Sequence, residues 1–445
     1  MRTVAGCRSL GKPPGRQSMG HTLLPPGHGA YERLVQRLNR FPQGAPPSER
    51  LFQILRLLVS EEEAGLLAQV PIRPFTAGRA AALWRLPEAR ARQVLEGLAD
   101  RAMLLDFPDG DETRYVLPPP MAGFFEFSMM RVRGDLDQQA LAELYYEYIN
   151  ADEAFCRDLF ATGQTQLGRV FVDETVLPPG NSRVVLDYER ASEVVRSAKA
   201  IGISACYCRH KMQRKGRACD APMDICMTFG SCADSLARHH VARRVEAAEC
   251  LDLLAQARER GLVQFGENVR EQVSFICNCC GCCCEALIAA RRFAFMNPVH
   301  TTNYLPEVDT EHCNGCGKCL DACPVEALGL VSAHDPHRRV ARTAQLREDR
   351  CLGCGVCVRT CAKEAIRLKP RPGRVLTPVN TAHRTVLMAM ERGRLAELLV
   401  DGQTSHGHRA AAAILGAVLK LPPLKQALAS KQLKSRYLDR LLAGY

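Results

Sequence analysis

Cys313-Asn-Gly-Cys316-Gly-Lys-Cys319-Leu-Asp-Ala-Cys323-Pro324 and Cys351-Leu-Gly-Cys354-Gly-Val-Cys357-Val-Arg-Thr-Cys361-Ala362 decide the reading of this chain. Both follow C-x2-C-x2-C-x3-C, and each cysteine of the second stretch lies 38 residues after its counterpart (351 − 313 = 38). The same offset pairs Glu326 with Glu364, Ala327 with Ala365, Leu328 with Ile366 and Leu330 with Leu368. The region is a duplicated unit.

That spacing is what iron–sulfur ligation requires. A C-x2-C-x2-C run wraps the backbone around one cubane so that three thiolates reach three irons, and the fourth cysteine points away to complete the partner cluster. Ligands are therefore expected crosswise. Cys313, Cys316, Cys319 and Cys361 serve one cluster, and Cys351, Cys354, Cys357 and Cys323 the other. Structural zinc is the competing use of C-x2-C pairs, but the x3 spacing and the duplication argue against it. Disulfides are the weaker alternative. Residues 1–18 are basic and rich in Gly and Pro without an apolar core, so no secretory signal is expected and a reducing cytoplasm is the expected compartment.

Residues 308–368 resemble the bacterial ferredoxin family with two [4Fe–4S] clusters. The resemblance implies pseudo-twofold halves, each with a short helix and a strand pair, and an electron-transfer role. One departure is Cys361-Ala362, where the family usually has Cys-Pro as at Cys323-Pro324. Losing the proline alters the local turn and removes no ligand. The connection through residues 332–339 is longer than in the smallest members and reads as a surface insertion.

The 445 residues, 47% hydrophobic and 24% charged, are enough for about three domains with ample core. Residues 410–421 are the best apolar run, too short for a membrane span and interrupted by Lys420. A net charge of +11 favours an acidic partner, whether a redox protein, nucleic acid or a phosphorylated ligand. No G-x-G-x-x-G follows an expected strand, so a built-in nicotinamide site is unsupported.

Of 22 cysteines, eight sit in the quartets, four are scattered (Cys7, Cys156, Cys232, Cys250), and ten form two central groups. The first holds Cys206, Cys208, Cys219 and Cys226. The second holds Cys277, Cys279, Cys280, Cys282, Cys283 and Cys284, six thiols within eight residues. Neighbouring side chains on an extended segment face opposite ways, so all six cannot bind one metal. Cys277/Cys280, Cys279/Cys282 and Cys280/Cys283 have the C-x2-C bite, and Gly281 permits a tight turn. The two groups are expected to converge on a further metal site, an additional iron–sulfur cluster or an uncommon cysteine-rich one. The alternatives are a structural zinc and a mixture of buried cysteines with one or two ligands. Cys279-Cys280-Gly281 resembles the CCG element of heterodisulfide-reductase-type domains, which hold a noncubane cluster, although the full spaced pair of such motifs is absent.

Arg209, His210, Lys211, Arg214, Lys215 and Arg217 read as a basic loop that would offset thiolate charge or simply face solvent. His210 and His312 are weaker ligand candidates than neighbouring cysteines. One long amphipathic helix is expected over residues 235–261, then strands at 262–265 and 272–276, placing the second thiol group at a strand-to-helix junction.

Residues 49–60, 61–69, 76–84 and 88–101 read as helices, followed by a hairpin over 103–107 and 113–117. The order resembles winged-helix domains, with Arg90, Arg92 and Gln93 on the recognition helix. Glu88 and Glu96 beside them favour protein docking over DNA. Residues 124–130 read as a docking segment, and residues 371–445 as a basic helical tail.

The expected fold class is therefore α+β multidomain. Residues 1–29 form a disordered start and 30–120 a winged-helix-like domain. Residues 121–300 form a mixed α/β cysteine-rich domain, 301–370 the ferredoxin-like 2[4Fe–4S] domain, and 371–445 the tail. The favoured function is relay of electrons to or from a partner protein or the central site, alone or as part of an oxidoreductase with unknown catalytic residues. The alternatives are a redox-sensing DNA-binding regulator and a metal- or cluster-handling protein.

Overall fold

The computed structural model describes residues 29–151, 153–161, 163–177, 187–292, 301–333, 341–373 and 375–399. The expectations for residues 1–28, for the surface insertion at 334–339 and for the tail beyond 399 lie outside these residues.

The amino-terminal third runs α1 (Ala30–Leu38), α2 (Glu49–Leu58), α3 (Glu61–Leu67), β1 (Phe75–Thr76), α4 (Ala77–Trp84), α5 (Glu88–Asp100), β2 (Leu105–Asp109) and β3 (Glu112–Val116). Local chemistry sets the ends. Ser48 caps α2, Ser60 and Glu63 form a reciprocal capping box on α3, and Thr76 caps α4. The three strands form a small antiparallel sheet in the order β1-β3-β2. Arg90, Arg92 and Gln93 are exposed on α5, but Arg92 pairs with Glu88 and Arg90 donates to Gln93.

Residues 124–130 are buried except Glu126, which is half-buried, and they include α6 (Phe125–Met129). Phe125 stacks with Tyr145 of α7 (Gln138–Tyr145) and with Phe155 of α8 (Glu153–Cys156). One continuous buried core runs from Ala30 through this aromatic cluster to Val356, so the first two expected domains share an interior.

The centre is a six-stranded antiparallel sheet. In chain order it contains β4 (Gly168–Val170), α9 (Ala191–Ser197), β5 (Ile201–Ala205), α10 (Tyr207–Arg214), β6 (Asp224–Phe229) and α11 (Gly230–Arg238). Then come β7 (Arg243–Arg244), α12 (Ala247–Glu259), β8 (Val263–Glu267), β9 (Phe275–Cys279) and α13 (Glu285–Arg292). The strand order is β4-β8-β9-β6-β5-β7. One face buries Met227, Phe229 and Ile276 against Val195 of α9 and Leu254 of α12. The other carries Cys226, Cys277 and Cys279, because side chains alternate along a strand.

Two expectations are corrected here. The single helix over 235–261 is broken into α11 and α12, with His240 in the left-handed region (φ 56°) and β7 inserted between them. The chain uses the break to add an edge strand to the sheet. The basic loop at 209–217 is instead largely helix α10, and Arg209, His210 and Lys211 are buried.

The repeat comprises β10 (Tyr304–Val308), α14 (Lys318–Asp321), β11 (Leu328–Ser332), β12 (Arg342–Leu346), α15 (Val356–Thr360) and β13 (Ile366–Pro370). Strands pair across halves, β10 with β13 and β11 with β12, both antiparallel. The duplication extends to the backbone: Gly315 and Gly353, Gly317 and Gly355, and Glu326 and Glu364 all have positive φ. After the repeat come α16 (Thr381–Glu391) and α17 (Leu395–Leu399). Arg384 of α16 pairs with buried Glu267 of β8.

Candidate metal centres

In the repeat, each glycine with positive φ lets the chain turn tightly around its thiols. The main chain also donates to sulfur: Ala344 N–H to Cys313 Sγ (3.4 Å), Ala327 to Cys323 (3.2 Å) and Gly353 to Cys351 (3.3 Å). Donors aimed at sulfur stabilise thiolate, so the residues present fit a thiolate-bound cluster.

Thiols of the two halves neighbour one another across the repeat. Burial pushes the Cys319 thiol up to about 11, with Cys313, Cys361 and Cys316 as its charged neighbours. Burial likewise raises Cys354 to about 12, beside Cys323 and Cys351. Cys323 thus stands with the second triplet and Cys361 with the first. His312 is exposed and bonds Asp309 at 2.8 Å.

Cys316 is exposed, whereas Cys319, Cys351 and Cys357 are buried. Asp173, after β4, donates its N–H to Cys354 O (2.9 Å), and its carboxylate holds Arg359 at 2.7 Å. A Cβ on Gly281 would lie 2.7 Å from the Pro324 carbonyl oxygen, so the central cysteine loop is pressed against the corner that follows Cys323.

The ten central cysteines come together, but as two sets. The register Met227↔Ile276 puts Cys226 opposite Cys277, and their sulfurs are 3.7 Å apart. Cys206 and Cys208 arrive from the start of α10 and Cys284 from the residue before α13. Thiol contacts then run Cys206–Cys226–Cys277–Cys279–Cys284–Cys208. The second set is Cys219, Cys280, Cys282 and Cys283, whose sulfurs all lie within 4.8 Å of one another. Of the three C-x2-C bites, only Cys280/Cys283 falls within one set. The strand ends at Cys279, and the turn carries the next four residues away from the sheet face.

Arg209 joins the two sets. Its side chain is buried, donates to Cys280 Sγ at 3.6 Å and also lies near Cys206 and Cys219. A hydrogen bond from Cys283, together with the guanidinium, holds Cys280 down at about 4 despite burial. The bond from Cys226 brings Cys277 to about 6. His210 is not placed as a ligand: its Nδ1 is bonded to Met129 O at 2.7 Å. Cys156, Cys232 and Cys250 are raised by burial to about 12 and are inert thiols.

The six-thiol set, with Cys280 and Cys283 of the second set and Cys232, lines a cavity of about 110 Å³, walled also by Phe127, Met130, Leu167, Phe265 and Phe275. Two carboxyls that the sequence reading missed face it. Glu126 accepts from the Ala122 and Gly123 N–H groups (2.8 and 3.2 Å), yet burial pushes it up to about 8. Glu285 Oε1 is held by Lys211 Nζ at 2.6 Å and Tyr207 Oη at 3.0 Å, while Oε2 is buried with no protein partner. Nothing in the spacing of Glu126 or Glu285 marks them, because only the fold brings them to the cavity.

A family model described as a 4Fe-4S dicluster domain matches residues 312–365. No curated protein and no solved structure matches the chain. Among the described residues no helix is long and apolar enough to cross a membrane. The chain therefore carries an iron–sulfur, ferredoxin-like domain that binds 4Fe–4S clusters and supports electron transfer in general.

Proposed function

We propose that the chain relays single electrons between a partner protein, two [4Fe–4S] clusters and the cysteine-lined cavity. Cys313, Cys316, Cys319 and Cys361 hold the outer cluster, and Cys351, Cys354, Cys357 and Cys323 the inner one. When bound, such clusters supply one-electron chemistry. The observation that carries the reading is the close packing of Gly281 on Pro324, which sets the inner ligands beside the central thiols.

The chain's own residues supply the rest. Exposed Cys316 marks the side where a donor or acceptor docks. The six-thiol set offers a further metal site, and Arg209 offsets its negative charge. Glu126 stays protonated at neutral pH and so can give a proton to whatever the cavity receives. Residues 77–116 act as a docking module rather than a DNA reader. Asp106 of the hairpin is held by Ser235 (2.7 Å), Arg238 and His239 of the central domain.

The test is iron and acid-labile sulfide per chain after anaerobic purification, with electron paramagnetic resonance of the reduced protein. The reading expects more than about eight irons and the spectrum of two interacting clusters. Zinc in place of iron in the repeat would overturn it.

A further inference from the structure

Cys219, Cys280, Cys282 and Cys283 have a spacing of their own. Their sulfurs are separated by 3.5 Å (Cys219–Cys280), 3.7 Å (Cys282–Cys283) and 3.9 Å (Cys283–Cys219). Four sulfurs at about 2.3 Å from one ion, at tetrahedral corners, stand roughly 3.8 Å apart. These three separations match that figure, and all four sulfurs lie within 4.8 Å of one another. A cubane puts each ligating sulfur on a different iron and needs them spread wider.

We propose that these four thiols bind a single tetrahedral divalent ion, zinc or ferrous iron, distinct from any metal held by the six-thiol set, with Cys280 and Cys283 at the wall of the cavity both sets share. Tetrahedral all-sulfur coordination suits these two metals. Two features of the surroundings support it. First, the ligands come from different places: Cys219 lies on the irregular stretch between α10 and β6, and the other three in the turn after β9. One ion ties that stretch to the turn, in the manner of a structural site. Second, four thiolates around a divalent ion leave a net negative charge, and the buried Arg209 guanidinium already touches Cys280. Its Nε is buried without a hydrogen-bond partner, so the side chain is held there by sulfur and two carbonyls.

The location gives the ion a task. Gly281 lies between two ligands and is the residue pressed against Pro324. The ion therefore fixes the turn that meets the corner after Cys323 and carries two cysteines, Cys280 and Cys283, of the cavity wall. The inference does not depend on the direction or partner of electron flow.

The test uses the full chain, purified anaerobically, with Cys282→Ser and Cys219→Ser/Cys282→Ser compared to the parent. Cys282 is exposed, so its replacement leaves the interior packing intact. The expected result is loss of one metal ion per chain with acid-labile sulfide unchanged and the reduced-cluster resonance of the repeat unaltered. If zinc is the ion lost, its X-ray absorption in the parent shows four sulfurs at about 2.3 Å and no metal neighbour. If iron is lost, Mössbauer spectra lose an isolated ferrous–tetrathiolate doublet. Loss of several irons together with sulfide would overturn the proposal in favour of a cluster. Unchanged metal content would overturn it outright. Because the repeat is read in the same samples, either outcome is separable from failure of the relay reading.

Discussion

The ferredoxin repeat and the central domain are both crowded with cysteine, yet they assemble their thiols differently. In the repeat, three cysteines of each half lie in one seven-residue loop, the fourth neighbours the loop of the other half, and the two halves align at one offset. In the central domain, the six-thiol set draws on two strands and the starts of two helices, spread from Cys206 to Cys284. A ligand set made by a loop is written in spacing. One made by a sheet is written in strand register, which exists only after folding.

The sharpest way to break the comparison is to pair substitutions across the repeat. Cys313→Ser with Cys361→Ser removes two ligands of the outer cluster and should leave about four irons in the inner one. Cys313→Ser with Cys323→Ser strikes both clusters and should leave almost none. If each quartet served its own cluster, the results would be exchanged. Iron and sulfide analysis decides it, and substitutions outside the repeat should leave its metal content far less altered.

The second prediction concerns what the central site needs and the repeat does not, a buried polar scaffold. Lys211 and Glu285 are fully buried and joined at 2.6 Å, with Asn150 accepting from the same ammonium at 2.5 Å. Lys211→Met alone strands a carboxylate in the interior, an error that costs about 3–5 kcal/mol. Lys211→Met with Glu285→Leu should recover most of that loss, since replacing both members of a buried pair by apolar groups is often near neutral. Urea denaturation of the anaerobic protein reads both. A double variant no better than the single would mean that Glu285 has a role of its own beyond pairing Lys211.

Legibility followed the same divide. The repeat's cysteine spacing and offset were readable, because duplication repeats the signal and glycines mark the turns; the pairing of its strands across the halves was not. A strand before the second thiol group and a helix after Cys284 were also readable from β-prone and helical periodicity, but the strand expected at 272–276 runs instead over Phe275–Cys279 and takes Cys277 and Cys279 into the sheet. The partition of the ten thiols was not, because the expected strand stopped at 276, short of the alternation along β9 that puts Cys277 and Cys279 on one face with Asn278 on the other. What was missing was the register that sets Cys226 opposite Cys277. The long helix failed because periodicity continues through residues 239–246 while His240 turns left-handed to let β7 pair with β5.

A smaller effect tests the junction. Gly281→Ala sets a methyl 2.7 Å from Pro324 O and 2.9 Å from its Cα, backbone atoms that cannot swing aside. Overpacking of this kind costs about 1–3 kcal/mol. Thermal denaturation should show the loss, and the metal content of the isolated protein should stay unchanged. Gly97→Ala, where nothing lies within 4 Å on the exposed side of α5, is the control and should be neutral or slightly stabilising. Equal effects from the two changes would mean that the turn is not pinned against the repeat.

The smallest effect is a pH dependence where the hairpin meets α11. Burial opposes ionisation of Asp106, but hydrogen bonds from His239 and Ser235 and the charge of Arg238 outweigh it and hold the carboxyl at about 2. That contribution is fully present above the ordinary Asp value and fades as pH falls from about 4 towards 2. His239 moves the other way. Its hydrogen bond to Asp106 raises it above the ordinary imidazole value, with burial opposing and Asp100 assisting. Its contribution is complete below about 6.5 and is lost as pH rises through the raised native value. The two slopes leave the contact strongest between about pH 4 and 6.5. Hydrogen exchange of the amides in β2 and β3, corrected for intrinsic rates, should show greatest protection in that window, and Asp106→Asn should flatten both limbs. Protection that rose steadily towards pH 8 would mean that His239 does not carry the charge that holds the hairpin to the cysteine-rich domain.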